Sequence, residues 1–187
     1  MKEEKIIRLV AIMLLFLKKV KQPSKGKVEE DFQKAFEKVL ESYGIEYLPK
    51  VHTDALCPND DKQMPEDWEI DIVLNIKNFY IPIELKYRQE DQCVSGYDER
   101  YRHDIKKIAE LTKKYTDIPV GYAIIVTSNN DLIENCNTLM PEYANDWVEL
   151  DNKYKALVVM KYNKTQEEEY FFYDYIAAQI TKDIDFE

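Results

Sequence analysis

Glycine is scarce in this chain, and its scarcity excludes two common classes of nucleotide-binding site. The 187 residues include four glycines, at positions 26, 44, 96 and 121. The GxGxxG and GxxxxGK loops each need several glycines within one turn, because their backbone amides must approach a phosphate closely. No stretch of this sequence can form either loop.

Histidine and cysteine are also few, and neither is arranged as a metal site. Cys57, Cys93 and Cys136 are widely spaced and none belongs to a CxxC pair, so a zinc site or a redox pair is not indicated. An odd number of separated thiols favours a reducing, cytoplasmic setting. His52 and His103 are the only histidines, which excludes a metal site built from several histidines.

Apolar runs are short, and the longest covers residues 9–17. A bilayer-spanning helix needs roughly 20 apolar residues, so we expect no association with a membrane. We predict instead a buried amino-terminal helix, Glu3 to Val20, that ends at Gln22-Pro23-Ser24. A helix that dimerises through this run is the alternative, because nine consecutive apolar residues exceed what a one-faced surface helix needs.

Positive charge is in deficit and unevenly distributed. The formal net charge is -10; residues 1–50 contain 11 Lys and Arg against 8 Asp and Glu, whereas residues 117–187 contain 5 against 14. An acidic total argues against non-specific binding of nucleic acid over the whole surface, since such binding depends on cationic side chains. A local basic groove remains compatible with this charge.

The hydrophobic pattern predicts one α/β domain over residues 1–187, with an amino-terminal helix (1–23), a central segment (24–127) and carboxyl-terminal strands (128–187). The predicted elements are helices Glu3–Val20 and Val28–Tyr43, strands Glu69–Ile76 and Phe79–Tyr87, helix Asp98–Tyr115, strand Val120–Thr127, a short helix Leu132–Leu139, and strands Lys155–Tyr162 and Glu169–Ile176. Residues 54–67 are polar, and we expect a loop there. These elements form a mixed central sheet flanked by helices.

Two carboxylates and a lysine are predicted to meet on one face of the hairpin formed by the first two strands. Successive strand side chains point to opposite faces, so Glu84 and Lys86 share a face. A turn at Lys77-Asn78 places Asp71 opposite Glu84. Hard divalent cations prefer carboxylate oxygens, and a nearby lysine can orient water or stabilise charge in the transition state. A cross-strand salt bridge on a solvated face explains the same spacing equally well.

Asp71, followed by a strand with Ile-Glu-Leu-Lys at 83–86, resembles the core motif of the PD-(D/E)XK nucleases, which have the restriction-endonuclease-like fold. The resemblance spans residues 25–127. It implies that Asp71 and Glu84 bind Mg²⁺, with Mn²⁺ as a substitute, and that Lys86 assists the attacking water. It also implies a glutamate in the helix before the hairpin and an amphipathic helix after it. Ile70 stands where the family frequently has proline.

The glutamate of the preceding helix can be chosen by helical geometry. At 100° per residue, Glu29 falls beside Phe32 and Phe36, whereas Glu30 lies on the polar face. We therefore predict that Glu29 is the third catalytic carboxylate and a third metal ligand. A first-turn acid favoured by the helix dipole is the alternative.

Lysines near the motif could contact a phosphate backbone. They are the run Lys18, Lys19, Lys21, Lys25 and Lys27 before Glu29, and Lys106 and Lys107 on the following helix. A solvated surface explains the lysines of residues 18–27 equally well. It is the favoured interpretation of Lys106 and Lys107.

Taken with the resemblance, the sequence predicts an Mg²⁺-dependent nuclease that hydrolyses phosphodiester bonds, with DNA as the expected substrate. The alternative is a catalytically inactive binding or interaction module of the same fold. The acidic total is the main objection to a nuclease. A homodimer that gathers the lysines of residues 18–27, or a separate DNA-binding partner protein, would answer it.

Overall fold

The computed structural model describes residues 2–23, 28–56, 68–76, 78–151 and 153–163, with side chains in the first helix from Leu9 onward. The elements are α1 (Lys2–Lys19), α2 (Glu29–Ser42), β1 (Tyr47–His52), α3 (Thr53–Leu56), β2 (Glu69–Ile76), β3 (Phe79–Arg88), α4 (Tyr97–Lys114), β4 (Val120–Thr127), α5 (Asn130–Leu139), a 3₁₀ turn (Pro141–Tyr143), β5 (Val148–Glu149) and β6 (Lys155–Tyr162). The predicted α/β class is confirmed.

The strands form one mixed six-stranded sheet in the order β1-β2-β3-β4-β6-β5. β3 and β4 are parallel, and every other neighbouring pair is antiparallel. A parallel pair needs a long crossover, and α4 lies in the segment that connects β3 to β4. The predicted hairpin and its register are confirmed, since β2 and β3 pair from Ile76–Phe79 to Ile72–Ile83. Asn78 in the turn has φ 72°, a left-handed conformation that asparagine tolerates well.

Each face of the sheet is covered by a different pair of helices. α1 and α2 pack against the face that contains Ile72 and Ile83, whereas α4 and α5 pack against the face that contains Val73 and Ala123. All eight residues of β4 are buried, as its continuous apolar run predicts for a strand covered on both faces. The sheet therefore separates two hydrophobic clusters, and α4 covers the face on which the motif residues are predicted.

The apolar run of α1 is buried within the protein. Leu9, Met13, Phe16 and Leu17 are fully buried in the cluster that joins α1, α2 and the sheet. Leu15 is left 38% exposed. The predicted buried helix is confirmed, and a dimer formed through α1 stays a prediction that this packing does not test.

Two features of the fold differ from the sequence-based prediction. Residues 53–56 form α3, so the loop predicted for residues 54–67 is wrong at its beginning; residues 57–67 lie outside the described part. β1 and β5 were also missed, because β1 contains Pro49 and has no buried residue, and β5 is only two residues long. The predicted strand Glu169–Ile176 lies outside the described residues.

None of the helices in the described ranges combines the length with the apolar composition required to cross a membrane.

Candidate active site

Asp71 lies where the backbone pairing of β2 with β3 ends. The last paired residues are Ile72 and Ile83, and beyond them the Asp71 Oδ2 accepts a hydrogen bond of 2.8 Å from the backbone amide of Leu85. Gln33 of α2 donates to the Asp71 carbonyl at 3.1 Å. A side chain thus replaces a ladder hydrogen bond, which fixes the Asp71 carboxylate against β3 between the positions of Glu84 and Lys86.

Glu84 is almost completely buried, with 2% of its surface exposed. Its Oε1 forms an ion pair with the Nζ of Lys107, which comes from α4. Burial, together with the negative charges of Asp71 and Asp104, raises the pKa of Glu84 well above its ordinary value. Lys107 acts in the opposite direction but does not cancel these effects. The ion pair with Lys107 therefore compensates only in part for the burial of Glu84 and for the two neighbouring carboxylates.

Lys86 is held between two carboxylates on different helices. Its Nζ lies 3.2 Å from the Oδ2 of Asp104 on α4 and 3.6 Å from the Oε1 of Glu29 on α2. Burial alone would favour the neutral amine, but Asp104, Glu29 and the two motif carboxylates outweigh burial and raise the pKa of Lys86. Lys86 is therefore a firmly charged ammonium group, suited to stabilising negative charge.

Glu29 reaches this cluster from the first turn of α2, whereas Glu30 does not. The Glu29 Oε2 accepts hydrogen bonds from the hydroxyl of Tyr97 and, at 3.3 Å, from the backbone amide of Tyr87. Glu30 instead pairs with Lys34 at 2.7 Å on the exposed face of α2. The two acids differ as the helical geometry predicts, although the metal-ligand role of Glu29 stays a prediction.

Asp104 and Lys107 of α4 belong to the cluster; the sequence did not point to Asp104, and it pointed to Lys107 only as a possible phosphate contact. The favoured solvated interpretation is wrong for Lys107, which is 7% exposed, while Lys106 beside it is exposed. At 100° per residue, Asp104 falls between Tyr101 and Leu111 on the apolar stripe of α4. A charged residue within an apolar stripe was the signal that could have identified it, because such a residue needs a buried partner.

The cluster carries an excess of negative charge that suits a divalent cation. Four carboxylates surround two lysines, which gives a formal charge of -2 when every group is ionised. Within the described ranges, however, no group of three or more His, Cys, Asp or Glu side chains is arranged to hold a metal ion. Mg²⁺ is commonly bound by one or two carboxylates and completes its shell with water and substrate phosphate. Asp71 and Glu84 are two carboxylates of the class that Mg²⁺ prefers, and their role as its ligands stays a prediction.

Comparison with known protein families, with curated proteins and with solved structures finds no match for this chain. The site must therefore be interpreted from its own geometry.

Proposed function

We propose that this protein is a metal-dependent nuclease that hydrolyses phosphodiester bonds in nucleic acid, with DNA as the preferred substrate. The observation that carries the proposal is the convergence of Asp71, Glu84 and Lys86 on the α4 face of the β2-β3 hairpin. Folding alone does not require two carboxylates and a lysine at one buried position, because burying such charges is costly.

The order of elements around these residues also supports the proposal. From Glu29 to Thr127 the chain contains a helix, a hairpin whose second strand carries the motif, an amphipathic helix and a strand parallel to the motif strand. This is the order expected for the restriction-endonuclease-like core. Two additional elements precede the hairpin: β1, at the edge of the sheet beside β2, and the short helix α3.

Asp71 and Glu84 are the residues that would hold Mg²⁺ or Mn²⁺. When bound, such an ion stabilises charge on a phosphate and lowers the pKa of a bound water. Asp71 is oriented for this role by the Leu85 amide, and Glu84 is oriented by its position within β3.

Lys86 is the residue that would stabilise the charge developing on the phosphate or orient the attacking water. Its ammonium group is held by Asp104 and Glu29, two residues on opposite helices, which limits its freedom before substrate arrives. Glu29, whose side chain is 38% exposed, lies at the more open end of the cluster and is fixed by Tyr97. We assign Glu29 a positioning role on Lys86 in addition to the predicted role in metal binding.

The acidic chain also has a local basic surface, on the side of the sheet that α1 and α2 cover. A groove of about 650 Å³ between α1 and α2 is lined by Lys19, Lys21 and Lys38, with one acid, Asp31. The segment that follows α1 is tied to the end of β3, because Gln89 donates to the Pro23 carbonyl at 3.0 Å. Lysines in this groove are the groups we propose to contact phosphates of the nucleic acid.

A cleavage assay tests the proposed function. Supercoiled and linear DNA, single-stranded DNA and RNA are incubated with the purified protein in Mg²⁺, Mn²⁺ or EDTA. We expect metal-dependent cleavage of DNA, reduced by a factor of about 100 or more in Lys86→Met and in Glu84→Gln, as for loss of a group that stabilises transition-state charge.

Matched controls use the exposed neighbours on the same helices. Lys106→Met removes a lysine from α4, and Glu30→Gln removes a carboxylate from α2, without touching the cluster. Both should cleave at the wild-type rate. Equal activity of Lys86→Met and Lys106→Met would refute the proposed site. If all of these proteins bind DNA and none cleaves it, the result would support the inactive binding module.

A further inference from the structure

The ion pair between Lys107 and Glu84 places a cation on one of the two carboxylates assigned to the metal. The Lys107 Nζ contacts the Oε1 of Glu84, donates a 2.7 Å hydrogen bond to the Glu69 carbonyl, and lies 3.8 Å from the Oδ1 of Asp104. These three partners are oxygen atoms, the same class of donor that a hard divalent cation selects.

We propose that Lys107 is an internal cation that competes with the divalent metal ion for Glu84. The inference rests on the proposed function, since the metal is the one assigned there to Asp71 and Glu84. It adds a residue from α4 that controls when the metal can bind.

The competition follows from charge and distance. An ammonium group in contact with Glu84 repels a divalent cation at the same carboxylate by several times the thermal energy, even at an effective dielectric constant of about 20. Metal binding to Glu84 therefore requires Lys107 to move away from it. Asp104, already within ion-pair distance, is the partner that receives the displaced amine.

Lys86 cannot play this part, although it lies in the same cluster. Its Nζ pairs with Asp104 and Glu29 and has no ion pair with Glu84. Removal of each buried lysine should therefore have a different effect. Removal of Lys107 frees Glu84 to bind the metal, whereas removal of Lys86 changes only the surrounding charge.

Calorimetric titration of the full chain with MnCl₂, after removal of bound metal with EDTA, tests the inference. We expect Lys107→Met to bind Mn²⁺ at least about tenfold more tightly than wild type, because a competing cation is removed. Lys106→Met, which loses the same charge from the exposed face of α4, should bind like wild type. Lys86→Met should gain clearly less affinity than Lys107→Met.

Two further variants separate a failure to fold from a change in metal affinity. If circular dichroism indicates that Lys107→Met is unfolded, Lys107→Gln replaces it, since its amide can still donate to Glu84 and Glu69. Adding Glu84→Gln to either variant should abolish the gained affinity. A merely structural lysine would lower the melting temperature without raising affinity for Mn²⁺.

The inference is overturned if Lys107→Met binds Mn²⁺ no more tightly than Lys106→Met, and this includes the case in which neither variant binds. It is also overturned if Lys86→Met gains as much affinity for Mn²⁺ as Lys107→Met does. The proposed function is judged separately by cleavage with the same preparations. Tighter Mn²⁺ binding by Lys107→Met without any cleavage would support the competition and refute the nuclease. Cleavage by wild type without any gain in affinity in Lys107→Met would support the nuclease and refute the competition.

Discussion

Glu84 is the residue on which the account of the site depends most. It is buried, it lies beside two other carboxylates, and one lysine contacts it. Such a group has two means of avoiding an uncompensated buried charge: it takes up a proton or it binds a cation. Its behaviour with pH distinguishes a titrating buried acid from an ordinary surface salt bridge.

We predict that Glu84 contributes a loss of stability to the metal-free protein as the pH rises above about 4.5, the ordinary pKa of a glutamate. The folded state holds a proton on Glu84 over a range in which the unfolded state has lost it, so the free energy of unfolding falls as pH increases towards the raised pKa. Urea unfolding in EDTA at a series of pH values measures this slope. Glu84→Gln should flatten it; an identical slope in both proteins would contradict the pKa shift.

The relative position of Asp71, Glu84 and Lys86 could be predicted from the sequence because strand alternation and a two-residue turn determine it. The register needed no long-range information: counting from Lys77-Asn78 brings Asp71 opposite Glu84, and the observed pairing from Ile76–Phe79 to Ile72–Ile83 agrees. Lys107 could not be assigned in this way. Its contact with Glu84 depends on how α4 crosses the sheet, which is a property of tertiary packing.

The helix α4 determines much of the composition of the site. It supplies Asp104 and Lys107, and its Tyr97 holds Glu29. α4 can approach the sheet closely because β4 has a glycine beneath it. A Cβ atom at Gly121 would lie 2.8 Å from the Cγ2 of Ile108 and 2.9 Å from the Cγ of Pro82.

Gly121→Ala should therefore destabilise the protein by about 1–3 kcal/mol, as expected for overpacking a well-packed core. It should also weaken the ion pairs of α4 with β3, so that metal binding and cleavage change together with stability. Chemical denaturation measures the first effect. An unchanged midpoint would mean that α4 does not approach the sheet as closely as described.

The elements themselves differ in how far the sequence determines them. β4 and β6 were predicted with their exact limits, because each is a continuous run of strand-forming residues between clear breaks. β1 was missed because Pro49 and the lack of buried residues leave no strand pattern in its sequence, and only its pairing with β2 identifies it as a strand. Lys50 in β1 even has a left-handed φ of 50°, which no local pattern predicts.

A chain of net charge -10 must contact a polyanion if it is to act on nucleic acid. The structure brings lysines from α1 and α2 to one groove, although they are distant from one another in sequence. Lys25 and Lys27 of the basic run lie outside the described residues. Local positive charge, rather than the total, governs contact with phosphates.

Replacing both Lys21 and Lys38 with glutamine should weaken DNA binding and reduce the dependence of log K on log salt by about 2, since each phosphate contact contributes about 1. Fluorescence anisotropy over a range of salt concentrations measures both quantities. Lys34→Gln is the control, because Lys34 is exposed on α2 and pairs with Glu30. An equal loss in the control would assign the effect to net charge instead of the groove.

The location of the bound metal tests the proposed site directly, and it does not depend on the form of the nucleic acid. Crystals are soaked in MnCl₂, and an anomalous difference map is calculated from data collected near the manganese absorption edge. We predict a peak between the carboxylates of Asp71 and Glu84, with the Lys107 amine moved from Glu84 towards Asp104. A map without a peak at these two carboxylates, with Lys107 still bound to Glu84 at saturating manganese, would contradict it.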